Sequence, residues 1–304
     1  MARGRGVARG RQPGLTHHSA IVALSLLTGC GHAGLLGAPP GHGPACPGAA
    51  TLPSALQCHA PILMQETAAG MAGVWDRPTP LDPDGSGALR DDAVQAALAP
   101  ASGELLTVYA RAAADATRLY LFYGLYYPAD WSGRADAPEL DHPGDFEGAL
   151  VVVEVASGTV EAVVTQAHNL FYLWLPEPRA DLPAAAAGTV TIAGGRPVLF
   201  AESGGHGLYA FGYGAWAPAG GTTYENGPAA LPPERLRRFE LVDVRPLDEL
   251  EAFADGPLES FRDLPGGAKP PWRWVDRRRA MAGPGAIVLA PDGFYRAIRR
   301  LTRP

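Results

Sequence analysis

The sequence predicts a mainly β fold, an antiparallel β-sandwich with long loops and a few short helices. Short segments rich in aromatic and β-branched residues follow one another through the chain, and turn residues separate them at intervals of roughly 8–15 residues. These segments do not alternate with long helical patterns, as the strands of βαβ units would. The 38 glycines and 30 prolines predict extended surface loops between the strands.

Nine segments carry the strand pattern. In chain order they are 61–64, 105–110, 118–127, 148–155, 160–166, 170–175, 189–192, 197–202 and 239–244. Ala156-Ser157-Gly158 and Gly194-Gly195 are turn sequences, so the strands on either side of each are predicted to form a hairpin. Short helices are predicted at 91–98, where two acids occupy the first turn, and at 247–253.

The first 29 residues have the organisation of a secretory signal peptide. Four arginines and no acid precede an apolar run at 20–27, which is too short to span a bilayer as a helix. Thr28 and Gly29 then lead into Cys30, a pattern that resembles the bacterial lipobox. The sequence therefore predicts cleavage before Cys30 and acylation of its thiol. Because Gly31 is not an aspartate, we expect the anchored protein to reside in the outer membrane of the bacterial cell envelope.

Glycine and proline dominate the residues that follow Cys30. We assign residues 30–57 to a tether that lifts a single β-sandwich domain, residues 58–304, off the membrane. Cys46 and Cys58 remain as an even pair in an oxidising compartment, so we expect a disulfide between them. Two free thiols in a flexible leader are the alternative.

The charge of the chain restricts its partners. It has 25 basic and 31 acidic residues, and its formal net charge is −6. Four of the arginines belong to the predicted signal peptide, so the remainder carries −10. Nucleic acid and anionic membrane surfaces require a basic face and are therefore not expected as main partners. We expect a monomer that meets the membrane through its lipid anchor.

The densest polar cluster precedes the strongest strand pattern. Asp145 and Glu147 are two residues apart, so an extended backbone places both carboxylates on one face and points Phe146 into the core. His142 precedes them by a Pro-Gly turn, and His206 lies in a glycine-rich segment after another strand. Oxygen and imidazole ligands in this combination suit a divalent cation, with Ca²⁺, Mg²⁺ or Mn²⁺ favoured over Zn²⁺. The alternative to a cation site is that these residues only form hydrogen bonds within loops.

Three motifs in this order resemble a known family. They are Tyr127-Pro128-Ala129-Asp130-Trp131, His142-Pro143-Gly144-Asp145-Phe146-Glu147-Gly148 and Glu202-Ser203-Gly204-Gly205-His206-Gly207-Leu208-Tyr209. They are similar to the HPRDW…HENDxEG…GHGxY pattern of a family of bacterial and fungal proteins. That family is distantly similar to the vacuolar-protein-sorting-sixty-two-type proteins and to the necrosis- and ethylene-inducing-like proteins. The stretch 270–276 resembles the late PWxWDD segment of the same group.

The resemblance implies a β-sandwich with a divalent-cation site. In the necrosis-inducing relatives a GHRHDWE segment supplies the His, Asp and Glu ligands, which correspond here to His142, Asp145 and Glu147. A later segment of those proteins is similar to the stretch that holds His206. This chain has Pro143-Gly144 in place of a polar pair, and Phe146 in place of tryptophan.

Three hypotheses for function follow. The first is a lipid-anchored binding or surface-interaction module with a divalent-cation site and a carbohydrate or lipid ligand. The second is a metal-dependent envelope hydrolase in which Asp145 or Glu147 acts as a base on a metal-bound water. The third is a structural envelope lipoprotein without a site. The sequence assigns no catalytic residue, and we favour the first hypothesis.

Overall fold

A computed structural model describes the backbone of residues 51–67, 76–80, 105–130, 142–167, 170–177, 186–212, 227–249, 287–288 and 290–301. All of these residues belong to one compact unit, 40–304. The predicted signal peptide, Cys30, Cys46 and the predicted helix at 91–98 lie outside the described residues. The side chain of His142 also lies outside them.

Within the described residues the regular elements are twelve strands, two α-helices and two short 3-10 helices. The strands are β1 (Ile62–Glu66), β2 (Leu105–Ala114), β3 (Arg118–Asp130), β4 (His142–Glu154), β5 (Val160–Ala167), β6 (Leu170–Leu175), β7 (Ala186–Thr189), β8 (Ile192–Ala193), β9 (Arg196–Ala201), β10 (Leu208–Ala210), β11 (Leu236–Phe239) and β12 (Leu241–Pro246). The α-helices are α1 (Leu52–Cys58) and α2 (Pro291–Leu301), and the 3-10 helices cover Pro228–Ala230 and Pro233–Arg235.

The predicted fold class is confirmed, because the described strands form two sheets in a sandwich-like arrangement. The first sheet has the order β10-β9-β1-β11, with β8 paired to β9, and the second has the order β12-β2-β3-β4-β5-β6-β7. Most neighbours are antiparallel. Three pairs are parallel, namely β1 with β9, β2 with β12 and β6 with β7. Two of these pairs join strands that are far apart in the chain, whereas β6 and β7 are consecutive.

The second sheet is covered on both of its faces, which explains why its strands are so continuously apolar. One face meets the first sheet. The other face forms a core with residues 287–288 and with Phe294, Tyr295 and Ile298 of α2. Phe146 belongs to this core, as the sequence predicted. Among the described residues, no helix is long and apolar enough to cross a membrane.

Close packing of β3 against β4 depends on two glycines. Gly124 and Gly148 are register partners, and each lies beneath an aromatic ring of the opposite strand. A Cβ on residue 124 would come within 2.1 Å of Phe146, and one on residue 148 within 2.6 Å of Phe122. Glycine at these positions lets both rings lie flat over the sheet.

The first sheet is joined to its surroundings by Arg196. Its guanidinium donates to the carbonyl oxygens of Ala60 (2.5 Å), Pro61 (3.2 Å) and Glu240 (2.8 Å). Glu240 separates β11 from β12, so the single strand predicted at 239–244 is two strands that belong to different sheets. Likewise, the hairpin across Gly194-Gly195 is formed by β8 and β9, while Thr189 ends β7 of the second sheet.

Helix α1 covers the end of the predicted tether. Thr51 and Ser54 form a capping box at its start, and Ala55 is buried. Tyr123 of β3 donates its hydroxyl to the carbonyl of Leu56 at 2.9 Å. The helix therefore packs on the second sheet. Cys58 is its last residue, and the disulfide to Cys46 stays a prediction.

Candidate functional site

The site is centred on His206, which lies in the loop between β9 and β10. This residue is fully buried and has a φ of 52°, a conformation that is uncommon outside glycine. Its Nδ1 lies 3.0 Å from Oδ2 of Asp145, and its Nε2 lies 3.4 Å from Oδ1 of Asp76. The imidazole also stacks on the ring of Tyr127, with centroids 3.9 Å apart and an interplanar angle of 4°. The ring is thus held on two edges and one face.

These neighbours favour a positive charge on His206. Burial opposes that charge, but hydrogen bonds to Asp145 and Asp76, together with their negative charges, raise the pKa of the imidazole to about 9. Both ring nitrogens then carry hydrogens: Nδ1 donates to Asp145, and Nε2 faces the Asp76 carboxylate as an ion pair. This geometry therefore favours His206 as a residue that orients Asp145.

The backbone of the same loop donates to carboxylates from other parts of the chain. The amide of Ser203 lies 3.3 Å from Oε2 of Glu66, and that of Gly204 lies 2.7 Å from Oδ1 of Asp76. Glu66 also pairs with the guanidinium of Arg235. Buried carboxylates need such donors. The loop is consequently fixed to β1 and to the segment 76–80.

Asp145 and Glu147 share one face of β4, as their spacing predicted, and both are buried. Oδ1 of Asp145 accepts the amide hydrogen of Phe146 at 2.8 Å, while Oδ2 faces His206. Each carboxylate oxygen has two acceptor directions. Asp145 is therefore oriented by the protein.

Glu202 and Tyr209 approach the same region from the first sheet. The Tyr209 hydroxyl donates to Oε1 of Glu202 at 3.3 Å. Burial raises the pKa of Glu202 to about 7, and burial together with the charge of Glu202 raises the pKa of Tyr209. Gly207 permits this contact, because a Cβ there would lie 2.8 Å from Oε1 of Glu202.

Aromatic rings of β6 border these carboxylates. Tyr172 is half-buried, and its ring centroid lies 6.1 Å from that of Trp174 and 5.4 Å from that of Tyr209. The Trp174 indole donates to Thr165 at 2.8 Å, which fixes the ring. Leu170, on the same face of the strand, is exposed. A partly open apolar surface therefore adjoins the acidic cluster.

The predicted ligand residues are brought together in part. Asp145, Glu147 and His206 lie in one buried region, and His142 begins β4 with its backbone opposite Asp130. Among the side chains that the structure describes, no three His, Cys, Asp or Glu form a group ready to hold a metal ion. A cation site formed by His142 with Asp145, Glu147 and His206 thus stays a prediction.

Sequence reasoning did not identify Asp76, Glu66 or Tyr127 as site residues. Asp76 lies beside a proline-rich segment without periodicity, and it meets a loop that is 128 residues away. Tyr127 ends the predicted strand 118–127 and begins the first of the three family motifs. Asp130 belongs to that motif too, and its strand partner is His142. The first family motif could therefore have indicated Tyr127 and Asp130 as site residues.

No protein-family model and no curated protein matches this sequence. Similar solved structures include necrosis and ethylene inducing protein 2 from the causal agent of cocoa's witches' broom disease, with 16% identity and a TM-score of 0.39 over 66% of this chain and 79% of that one. NLPPya in complex with mannosamine has 18% identity and a TM-score of 0.37 over 69% of this chain and 83% of that one. NLPPya in complex with glucosamine has 19% identity and a TM-score of 0.38 over the same shares.

The necrosis-inducing proteins, expected as distant relatives, are thus among the structural neighbours of this chain. The likeness is distant, and it assigns neither a ligand nor an activity. The resemblance to the vacuolar-protein-sorting-sixty-two-type proteins stays a prediction.

Proposed function

We propose that this chain is a lipid-anchored binding protein of the bacterial cell envelope, with its ligand site around residues 202–209. One observation carries this proposal. The Tyr209 hydroxyl donates to Glu202, the charge of Glu147 on β4 also acts on this hydroxyl, and the Tyr209 ring lies 5.4 Å from the half-buried ring of Tyr172. Functional sites commonly combine an apolar wall with a few convergent polar groups.

A divalent cation would complete this site. Asp145 and Glu147 supply the oxygen ligands that Ca²⁺, Mg²⁺ and Mn²⁺ prefer, and His142 stands at the start of the same strand. Carboxylates that bind metals are usually oriented by further hydrogen bonds. Asp145 has such support from the amide of Phe146 and from His206. We assign the cation to Asp145, Glu147 and His142, and an orienting role to His206.

A carbohydrate is the ligand class that suits the surroundings. Sugar rings offer an apolar face that packs on an aromatic ring, and their hydroxyl groups donate to carboxylates or bind a cation. Tyr172 and the exposed Leu170 provide the apolar surface. The acidic residues beside them provide the acceptors.

Anchoring rests on the sequence of residues 1–30 alone. Acylation of Cys30 would place the site at the membrane surface of the envelope, most simply on the outer membrane. Mass spectrometry of the mature protein tests this assignment, since the lipid mass should be present on Cys30 and absent in Cys30→Ser.

Metal binding tests the site. The full chain should bind one Ca²⁺, Mg²⁺ or Mn²⁺ per molecule in calorimetry, and the double variant Asp145→Asn, Glu147→Gln should lose about 100-fold or more in affinity. Asp243→Asn is the matched control, because it removes a partly exposed carboxylate that pairs with Arg245. Absence of cation binding to the unaltered protein, or an equal loss in the control, would contradict the cation site.

Carbohydrate binding is tested separately with a panel of neutral and amino sugars, with and without the cation. Tyr172→Ala should weaken binding about 10-fold, since it removes the aromatic surface. Val155→Ser alters an exposed apolar residue in the turn after β4, and should leave binding unchanged. If no sugar binds, the ligand class is wrong.

A further inference from the structure

Arg77 has an unusual environment next to the site. Its Nε is buried and has no hydrogen-bond partner among the described residues. The backbone around it is fixed, because Asp76 accepts from Gly204 and the amide of Thr79 donates to the carbonyl of Tyr126 at 2.9 Å. The backbone on both sides of Arg77 is therefore held in place. A buried donor without an acceptor is costly and calls for an explanation.

Arg237 lies on β11, and the loop after β9 connects it to the segment of Arg77: Gly204 donates to Asp76, and the preceding residue, Ser203, donates to Glu66 of β1. It is the register partner of Gln65 in the antiparallel pair β1–β11, and such partners project to the same side of a sheet. Gln65 points between the sheets, where its amide donates to the carbonyl of Glu202 at 3.3 Å. Arg237 is half-buried on that side. Burial, followed by the positive charge of Arg237, lowers the pKa of Arg77, which agrees with their proximity.

The two guanidiniums differ from most other described arginines. Arginines elsewhere in the described part of the chain form ion pairs, namely Arg111 with Asp248, Arg118 with Glu161, Arg235 with Glu66, Arg238 with Glu240, Arg245 with Asp243 and Arg296 with Asp292. Arg77 and Arg237 have no such pair with any described residue. The two like charges repel each other, and a bound anion would offset both the repulsion and the burial.

We propose that Arg77 and Arg237 form an oxyanion site that binds a phosphate group. The planar fork of a guanidinium matches the spacing of phosphate oxygens and can donate two parallel hydrogen bonds. The buried Nε of Arg77 gains the acceptor that it lacks. The phosphate belongs either to a soluble ligand or to a lipid headgroup, and the chemistry at the two arginines is the same for both.

The first test is calorimetric titration of the full chain with inorganic phosphate at low ionic strength. EDTA is present, so that a divalent cation at Asp145 cannot contribute and the proposed cation site is not tested by this experiment. One phosphate should bind per molecule. Arg77→Gln and Arg237→Gln should each weaken binding about 10-fold or more, because each removes charge-assisted hydrogen bonds.

Arg238→Gln is the matched control. It removes the same charge from the adjacent residue of β11, which is exposed and pairs with Glu240 at 2.5 Å. Its phosphate affinity should stay within about 2-fold of that of the unaltered protein. Arg77→Lys should bind more weakly than the unaltered protein, because lysine keeps the charge but not the fork. Melting temperatures show that each variant is folded.

A second arm identifies the source of the phosphate. Phosphatidylcholine vesicles are compared with vesicles that also contain phosphatidic acid. Arginine-dependent binding of inorganic phosphate alone indicates a soluble ligand, and additional arginine-dependent preference for phosphatidic acid indicates a headgroup. The proposal is overturned if neither form binds, or if Arg238→Gln lowers affinity as much as Arg77→Gln does.

Discussion

Replacing Gly124 with alanine should destabilise the protein through Phe146. A Cβ at this position would lie 2.1 Å from Cζ, 2.8 Å from Cε2 and 3.0 Å from Cε1 of that ring. Ordinary carbon contacts are about 3.5–4.0 Å, so the ring must move by more than about 1 Å. Phe146 is buried in the core beneath α2 and cannot withdraw into solvent.

The cost of such overpacking is about 3 kcal/mol. For a domain of this size, each kcal/mol lowers the melting temperature by about 2–4 °C, so the expected fall is about 6–12 °C. Urea unfolding followed by tryptophan fluorescence measures the free energy directly. Because Phe146 stands between Asp145 and Glu147, Gly124→Ala should also weaken the proposed cation binding.

Gly212→Ala is the matched control, since no atom lies within 4 Å of the added Cβ and the backbone is not left-handed there. It should change the free energy of unfolding by less than about 1 kcal/mol. Adding Phe146→Leu to Gly124→Ala should recover part of the lost free energy of unfolding, because leucine is smaller than phenylalanine and leaves room for the new Cβ. A Gly124→Ala protein as stable as the Gly212→Ala protein would contradict this prediction.

Further predictions concern buried polar groups. Arg196→Met should lower the free energy of unfolding by about 3 kcal/mol in urea titrations, because three backbone carbonyls lose their donor. The control Arg245→Met should lower it far less, because the carboxylate partner of Arg245 is partly exposed. In the cation-free protein, stability should fall as pH rises from 4.5 to about 7, since folded Glu202 retains its proton after the unfolded chain has lost it. Glu202→Gln should remove that fall. Stability should decrease again between pH 6.5 and about 9 as His206 loses its proton, and a His206→Asn protein that shows the same decrease would contradict this assignment.

Local patterns predicted the second sheet well. β6 has the predicted bounds, and the β4–β5 hairpin forms across Ala156-Ser157-Gly158. The alternation of Asp145, Phe146 and Glu147 placed the carboxylates on one face and the ring in the core. These outcomes depend on the two-residue period of a strand, which is a property of neighbouring residues.

Pairing between distant strands could not be predicted from such patterns. The parallel contact of β1 with β9 joins segments whose sequences contain no information about each other. The same holds for the contact of Asp76 with Gly204, and for the left-handed backbone at His206. The structure places His206 next to Asp145, its partner in the predicted site, and next to Asp76, which lies in a segment that sequence spacing does not link to either residue. The metal-ligand role of His206 stays a prediction.

The central position of β1 has a kinetic consequence. β2 to β6 pair in chain order through nearby residues, so this part of the second sheet can form early. β1, by contrast, must wait for β9, which pairs Gln65 with Ala201 across 136 positions, and for β11 beyond it. The loop at 202–207 takes its carboxylate partners from β1, β4 and the segment 76–80. We therefore expect the binding site to be absent from early folding intermediates and to appear only when the first sheet closes.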